Sequence, residues 1–516
     1  MDPPNCNDPI FHFPFVICHL SFGPLPSIYA IYANLRSPER PLDHFQNGFH
    51  HKSLFRDSSS LHCYVSHFVR RRFSLRKLLV SRLGLSGSAL LVVVLIALAA
   101  QHGSTANDDP PKTARYYRQQ AAAAYKTKDY ASAIDHLKKA LELIPDHPTL
   151  FYNIAAISAL QGKKNEAIAS LSKVAEMGLA LRPEKDPDFD SIKDSSEFNA
   201  ILKRFEENRA PIVRSSTAFT IHEKGLITEG LAYDPVEETF FVSSVHKRKI
   251  LSVSRTGETK TFASEQDGLF SVLGMSVDAK RRHLWVTSTA FPQMLNFKKE
   301  EDGVSAVFKF DVRTKKLLKK YVLSNATKKH ALGDLIIQSN GDVFTTDSLS
   351  PAVYVIRPQK DEIELFLEDA GFGSPQGLAF SGDERHLFMA DYGTGLFDID
   401  VKTQKVTHFA PLPGATLLGI DGLYFHKGSL IGVQNGVTPQ RVVRLSLSKD
   451  LGRVERLEVL EANNPVFLEP TLGVLVKDTF YFIANSQWPL VDENGKLAAE
   501  DKLQDPVVLK MRLEAP

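Results

Sequence analysis

Six copies of one short pattern follow Thr217. In each copy a short apolar strand with a glycine at its opening is followed, about ten residues later, by a second strand. The openings are at residues 229–233, 273–277, 333–337, 376–380, 421–425 and 472–476, and the second strands are at 239–243, 283–288, 342–347, 386–391, 429–435 and 479–485. Such a sheet cannot bury both faces alone, so the copies must stack around a common axis. The pattern predicts a mainly β fold, a six-bladed β-propeller whose strand openings surround one central channel.

The blades are expected to have four strands each, and the last blade shows how the ring closes. In the fourth copy the strands are predicted at 375–380, 386–391, 395–400 and 406–409, with turns between them. The sixth copy shows only three strands, at 472–476, 479–485 and 507–511. Residues 216–221, ahead of the first blade, supply the natural fourth strand. Pairing of the first and last segments would remove two exposed sheet edges.

A helical segment at 113–209 precedes the propeller, which is placed at 215–513. Alanines recur at a spacing of 34 residues, since Ala133 is matched by Ala167, and Leu137 is matched in the same way by Leu171. The first unit ends at Pro145, which stops its helix. Period, alanines and terminal proline together resemble the tetratricopeptide repeat. The resemblance implies either a groove that binds a peptide or protein partner, or a rigid adaptor.

A further helix is predicted at 195–205, with Ser196 as its N-cap and Glu197 in its first turn. We interpret it as an atypical end unit that covers the apolar face of the stack.

The first hundred residues carry an export pattern. A basic run at 70–77 precedes the uncharged stretch 83–100, and small and polar residues follow. We therefore expect a signal peptide at 69–106, or alternatively an uncleaved membrane anchor, because the stretch is just long enough to span. Either way the protein is expected to be exported, as a periplasmic or extracellular protein or one anchored by a single N-terminal helix. Residues 1–68 fit neither pattern and are interpreted as a non-native or disordered extension.

Charge and cysteine content exclude several functions. The 62 Lys and Arg residues nearly balance the 60 Asp and Glu residues, so nothing indicates a nucleic-acid partner. All three cysteines, Cys6, Cys18 and Cys63, precede residue 64. The folded part can therefore have no disulfide, thiolate metal site or cysteine nucleophile. The only expected membrane contact is through the N-terminal segment.

Several blade openings resemble those of the gluconolactonase, senescence-marker-protein and luciferin-regenerating-enzyme family. The resemblance spans roughly residues 217–513 and rests on Glu229-Gly230, on the stretch 374–383 and on Asp421-Gly422-Leu423. It implies a lactone or ester hydrolase with a divalent cation, Ca²⁺ or Zn²⁺, in the channel. Carried over position by position, the metal ligands would be Glu229, Asp421 and Gln376.

The resemblance also implies roles for further residues, and one residue of the family's pattern is missing from this chain. Asp421 is the expected catalytic base as well as a ligand. Asp334, Gln376 and Asn485 are the expected substrate-binding residues. Gln376 stands where the family has an asparagine, and the asparagine of the third blade is missing, because that position reads Gly333-Asp334.

Two functions remain open at this point. One is the exported, metal-assisted hydrolase; the other is a non-catalytic propeller that binds a ligand or protein, with the helical repeats as a scaffold in the cell envelope. Asp347 and Asp391 are expected to form turns rather than to take part in chemistry. The histidines after residue 217 are expected to lie at the surface: His222, His246, His283, His330, His386, His408 and His426.

Overall fold

The computed structural model describes residues 113–323, 328–492 and 494–514. The predictions for the extension at 1–68, the segment at 69–106 and the three cysteines lie outside these residues. Within the described ranges, no helix is both long enough and apolar enough to cross a membrane.

In the part of the chain that the structure describes, five α-helices precede the propeller. Their bounds are Ala114–Lys126 (α1), Tyr130–Leu143 (α2), Pro148–Leu160 (α3), Lys164–Glu176 (α4) and Ser196–Asn208 (α5). The helices α1 and α2 form one antiparallel pair and α3 and α4 a second, as the spacing of 34 residues predicted. The matched residues Ala133 and Ala167 are fully buried, which lets neighbouring helices approach closely.

The N-cap of the end helix α5 lies one residue earlier than predicted. It is Ser195, not Ser196, and the Ser195 hydroxyl accepts a hydrogen bond from the backbone N–H of Phe198. Ser195 has the extended backbone that a cap requires, whereas Ser196 already belongs to the helix. Phe198 and Phe205 are completely buried in the core shared with α3 and α4, so α5 covers that face of the stack.

Twenty-four strands in the described part of the chain form six four-stranded antiparallel sheets. The strands are Ser216–Thr220 (β1), Leu231–Asp234 (β2), Thr239–Ser244 (β3), Lys249–Val253 (β4), Thr259–Ala263 (β5), Ser271–Asp278 (β6), His283–Thr289 (β7), Ser305–Asp311 (β8), Leu317–Leu323 (β9), Leu332–Ile337 (β10), Val343–Asp347 (β11), Ala352–Ile356 (β12), Ile363–Leu367 (β13), Pro375–Phe380 (β14), His386–Asp391 (β15), Gly395–Asp400 (β16), Val406–His408 (β17), Leu423–His426 (β18), Ser429–Gln434 (β19), Arg441–Leu447 (β20), Val454–Ala462 (β21), Gly473–Val476 (β22), Thr479–Ile483 (β23) and Val507–Arg512 (β24). The fold is the mainly β, six-bladed propeller preceded by helical repeats that the sequence predicted.

The ring closes as predicted. The sixth sheet has the strand order β1-β24-β23-β22, in which β1 comes from before the first blade. Ser216 pairs with Lys510 and Thr220 with Val507 in antiparallel register. The two ends of the propeller sequence therefore hold each other in one sheet.

The glycines of the strand openings allow neighbouring blades to meet. A Cβ atom on Gly230 would collide with the carbonyl oxygen of Leu273 in the next blade, and one on Gly377 would collide with that of Asp421. In the third blade Asp334 takes the place of the glycine. The register of β10 against β11 shifts between Leu332 and Leu335, so a bulge re-aims the chain at this residue.

The helical repeats pack on the loops of the propeller face where the strands open. The backbone N–H of Ala180 donates to the carbonyl of Thr438 over 2.7 Å, and Asp146 accepts from the N–H of Leu417 over 3.0 Å. Arg441, only 1% exposed, donates to the carbonyl of Met177 at the C-terminal end of α4. A buried cation is stabilised there, because a helix carries partial negative charge at its C-terminus.

Candidate functional site

One cavity lies where the six inner strands open. All six residues that precede or occupy the glycine position of the pattern line it, as the repeat predicted: Glu229, Leu273, Gly333, Gln376, Asp421 and Leu472. Its other lining residues are Phe291, Ala331, Asp334 and Ser348. The cavity measures about 20 Å³, which is room for roughly one water molecule. In this closed form the channel site is too small for a lactone.

Glu229 is a buried acid of the cavity wall. Its side chain is 3% exposed, and its Oε2 accepts a hydrogen bond of 2.6 Å from the indole N–H of Trp488. Burial raises the pKa of Glu229 well above its usual value, and the neighbouring carboxyl of Asp421 raises it further. An ionised Glu229 therefore needs positive charge or hydrogen-bond donors close by.

Asp421 is held from the side by an amide. Its Oδ2 accepts a hydrogen bond of 2.8 Å from Asn435, whose other amide hydrogen goes to the carbonyl of Pro470 over 2.9 Å. The hydroxyl of Tyr392 donates to the oxygen of the same amide. Burial raises the pKa of Asp421 to about 6. Asn435 thus fixes one oxygen of Asp421 and leaves the other, Oδ1, without a hydrogen bond to the described residues.

Asp334 adds a further carboxyl to the cavity wall, and Glu469, which does not line the cavity, lies close enough to interact with Asp421. Asp334 Oδ1 accepts from the N–H of Leu335 over 2.8 Å, and burial raises the pKa of Asp334 to about 7. Burial, with help from Asp421, raises the pKa of Glu469 to about 8. Among the described residues, neither lysine nor arginine lines the cavity. The channel thus concentrates acidic groups without side chains that would neutralise them.

Gln376 completes the polar part of the wall. It is 4% exposed, and its amide nitrogen donates to the hydroxyl of Ser374 over 3.1 Å. This bond leaves the amide oxygen for another partner, and that oxygen lies beside Gly333.

The predicted ligands suit a hard cation by their chemistry. Glu229, Asp421 and Gln376 offer only oxygen atoms, which are the donors that Ca²⁺ prefers. Bound positive charge would also relieve the repulsion that raises the pKa of Glu229. In the geometry of the described ranges, however, no group of three or more His, Cys, Asp or Glu side chains is arranged to hold a metal ion. The metal site stays a prediction from the resemblance.

An apolar cap closes the cavity. Trp488, 1% exposed, packs in a buried cluster with Ile227, Val245, Leu273, Phe291, Ala331 and Val491. Phe291 comes from the long connection between β7 and β8, and Trp488 from the one between β23 and β24. The two connections touch, because a Cβ on Gly495 would collide with the carbonyl oxygen of Pro292. We call these two connections, residues 290–304 and residues 484–492 with 494–506, the cap.

Asn485, the third predicted substrate-binding residue, does not line the cavity. Its Oδ1 accepts from the N–H of Val507 over 2.6 Å, and its amide donates to the carbonyl of Asp505 over 3.1 Å. Its side chain therefore anchors the base of the cap, and no polar atom is turned to the channel.

The prediction that the histidines lie at the surface was wrong for three of them. His246, His330 and His426 are 8%, 3% and 5% exposed. Each has an oxygen partner from a distant segment; His330 Nδ1, for example, lies 2.6 Å from Asp347 Oδ2. A hydrogen-bond partner of this kind offsets part of the free-energy cost of burying a polar ring.

The two expected turn formers do act in turns. Asp347 accepts from the backbone N–H groups of Leu349 and Ser350, and Asp391 accepts from those of Gly393 and Thr394. Their carboxylates are therefore used to hold connections between strands.

Two functional candidates received no role from the sequence. Asn435 is the last residue of the predicted strand 429–435, as Asp347, Asp391 and Asn485 are of theirs, and this recurrence of polar residues was the signal available for it, although β19 itself ends at Gln434. Trp488 lies in a polar and aromatic cluster at 483–488, but its contact with Glu229 spans 259 residues of sequence. No local pattern gives such a contact.

Comparison with known proteins finds the tetratricopeptide repeat family at residues 114–147. Comparison with curated protein sequences gives no match. Similar solved structures include a gluconolactonase from Xanthomonas campestris, with 15% identity, a TM-score of 0.40 and coverage of 58% of this chain and 91% of that chain. A PQQ-bound aldose sugar dehydrogenase from Streptomyces coelicolor has 14% identity, a TM-score of 0.40 and coverage of 58% and 99%. A luciferin-regenerating enzyme has 13% identity, a TM-score of 0.37 and coverage of 58% and 95%. Residues 114–147 are thus similar in sequence to tetratricopeptide repeats. The propeller is identified from the six sheets of the structure.

Proposed function

We propose that the propeller is a hydrolase that opens a lactone or ester in its channel, with a divalent cation held by Glu229, Asp421 and Gln376. The observation that carries the proposal is the convergence of these three side chains, from three different blades, on one cavity. They share this cavity with Asp334, and no cationic side chain lines it. When bound, a divalent cation would polarise the substrate carbonyl and lower the pKa of a bound water.

Asp421 is the general base of the proposed reaction. A base works best when its pKa lies near the working pH, and burial brings the pKa of Asp421 to about 6. Asn435 holds Oδ2, so Oδ1 is the oxygen that takes the proton from the attacking water. The proton then passes to the leaving oxygen, so that one water is added across the broken C–O bond. Asp334 and Gln376 would orient the substrate from the third and fourth blades.

The experiment measures hydrolysis of a panel of lactones and esters by the purified protein, together with its metal content. We expect activity that EDTA abolishes and that Ca²⁺ or Zn²⁺ restores. Ca²⁺ should also raise the melting temperature of EDTA-treated protein, because a ligand that binds only the folded state stabilises it. Full activity after complete removal of metal would overturn the cation-assisted mechanism.

A non-catalytic binding protein is the second candidate. The observation that favours it is the cavity of about 20 Å³, which admits no substrate while Trp488 covers it. On this proposal the channel binds a ligand or partner and the helical repeats bind a protein. Indifference of the melting temperature to both EDTA and Ca²⁺, with no hydrolysis, would favour this candidate over the hydrolase.

We also propose that the protein is exported, as the sequence at 69–106 indicates. Cell fractionation combined with N-terminal sequencing of the native protein tests this proposal. A start within 1–68, or a protein found only in the cytosol, would contradict it.

A further inference from the structure

The side chain of Trp488 contacts the channel site through its indole N–H group and through its ring. Its indole N–H donates to Glu229 Oε2 over 2.6 Å, and its ring packs against Ile227, Leu273 and Phe291 above the cavity. No other hydrogen bond to the Glu229 carboxylate is formed within the described ranges. The first metal ligand of the proposed site is therefore engaged by a donor from the protein itself.

The position of Trp488 depends on the cap rather than on the inner strands. The residue begins a single 3-10 turn, Trp488–Leu490, and the preceding Gln487 has a left-handed backbone with φ of 69°. Gln487 and Asn485 bind the far end of the connection, through the N–H groups of Gln504 and Val507. The indole would leave Glu229 by a movement of residues 488–492, with Gln487 and Asn485 still bound and the four strands of the blade still paired.

We propose that Trp488 is a gate that competes with positively charged ligands for the carboxylate of Glu229. In the closed form the indole takes the carboxylate oxygen and leaves room for about one water. In the open form the oxygen is free for a cation, and the space that the indole vacates is available to substrate. The inference rests on the proposed function in so far as the competing ligand is a metal ion.

The arrangement of the acids agrees with such competition. Glu229, Asp334 and Asp421 line one cavity, yet no three acids are arranged to hold a metal in the described geometry. Release of Glu229 from Trp488 would free Oε2, so that both carboxylate oxygens could bind a cation, whereas in the closed form only Oε1 is without a hydrogen bond to the described residues. For a ligand that binds only the open form, the apparent affinity equals the intrinsic affinity multiplied by the fraction of protein that is open.

The test compares Ca²⁺ binding, by titration calorimetry, in the wild type and in Trp488→Phe. The substitution removes the N–H donor and keeps an aromatic ring in the cap. A hydrogen bond to a charged group of this kind corresponds to about a 10- to 100-fold change in an equilibrium constant, so the variant should bind Ca²⁺ more tightly by about that factor. Val245→Ala is the matched control: Val245 belongs to the same buried cluster but does not line the cavity, and the Ca²⁺ affinity of this variant should stay within about threefold of the wild type.

A second measurement does not depend on the folding of a cap variant. The chain has two tryptophans, Trp285 and Trp488, so Trp285→Phe leaves Trp488 as the only indole. Ca²⁺ should shift its emission to longer wavelength and make it accessible to acrylamide, because the indole leaves a buried site. Equal Ca²⁺ affinities in wild type and Trp488→Phe, with unchanged emission, would overturn the gate and leave the proposed function standing.

A metal-free probe separates the two proposals when no variant binds Ca²⁺ or Zn²⁺. Trp488→Ala, checked for folding by circular dichroism, opens a space of indole shape beside Glu229. Tryptamine, which adds an ammonium group to that ring, should bind it at least about tenfold more tightly than indole-3-acetate, which adds a carboxylate. That result would support the gate while the cation-assisted hydrolase fails. Failure of tryptamine to bind folded Trp488→Ala, in the absence of metal binding, would overturn the gate.

Discussion

Five of the six blades of this propeller fall into two kinds. The first, fourth and fifth blades present Glu229, Gln376 and Asp421 to the cavity, and their second and third strands are joined by short connections. The second and sixth blades present Leu273 and Leu472 at the same positions, and their corresponding connections form the cap. The polar side chains of the cavity and the connections that cover it therefore come from different blades.

This division has a physical reason. Charged side chains that must keep a fixed geometry are best held at strand ends, where backbone hydrogen bonds fix their position. Long connections can move without breaking a sheet, and the second and sixth blades use theirs to place Phe291 and Trp488 over the acids. The leucines below the cap give it an apolar floor. The comparison thus separates residues for chemistry from residues for access, and each prediction below tests one side of it.

The largest effect is expected from Asp421→Asn on the polar side. The substitution keeps the shape and removes both the base and one charged ligand, so kcat/KM for a hydrolysed lactone or ester should fall about 10²- to 10⁴-fold. Steady-state kinetics measures it. Glu455→Gln, which removes an exposed carboxyl from the outer strand of the same blade, should leave kcat/KM unchanged. Wild-type activity in Asp421→Asn would show that the polar wall is not catalytic.

Gly230→Ala tests the contact between the two kinds of blade. The added Cβ would collide with the carbonyl oxygen of Leu273, and a backbone atom cannot move aside as a side-chain end can. We expect a loss of about 1–3 kcal/mol in the free energy of unfolding, measured by denaturant titration. Gly452→Ala is the control, since its Cβ would meet only Asp450 side-chain atoms at 3.8 Å. Equal stability of both variants would mean that the blades do not need close approach here.

The pH dependence of stability tests the acidic wall without reference to activity. Burial raises the pKa of Asp421 in the folded protein to about 6 from an ordinary value of 3.8. Between these values the folded state binds more protons than the unfolded state, so this group's contribution to stability falls as pH rises. With EDTA present, the melting temperature of Asp421→Asn relative to that of the wild type should therefore rise by about 2–4 °C between pH 4 and pH 7.

The matched control for this pH series is again Glu455→Gln, which changes an exposed side chain of the same blade outside the cavity. A constant difference for Asp421→Asn would show that Asp421 is hydrated in the folded protein.

The sequence predicted the ring of cavity residues well because each blade repeats the same local geometry. Glu229, Gln376 and Asp421 could be assigned to one channel from their positions next to a glycine, without knowledge of any long-range contact. The cap could not be predicted in this way, since its two connections are insertions that occur once each. The placement of Trp488 depends on contacts with Glu229 and Phe291, which are distant in sequence, and on the seating of Asn485, which looked like a channel residue. The repeated blade pattern therefore made the residues of the cavity wall predictable from sequence. The cap has no repeated pattern from which it could be predicted.

Gln376→Asn is expected to have the smallest effect. The substitution shortens the side chain by one methylene and loses the bond to Ser374, so the amide oxygen retreats from the cavity. Because Gln376 is uncharged, it contributes less to cation binding than either carboxylate, and Ca²⁺ affinity should fall by less than about tenfold. Calorimetry measures it, with Gln404→Asn, at the outer edge of the same blade, as the control. A loss as large as that of Asp421→Asn would mean that the amide, and not the acid pair, fixes the ligand, and that the fourth blade rather than the first and fifth is the centre of the polar wall.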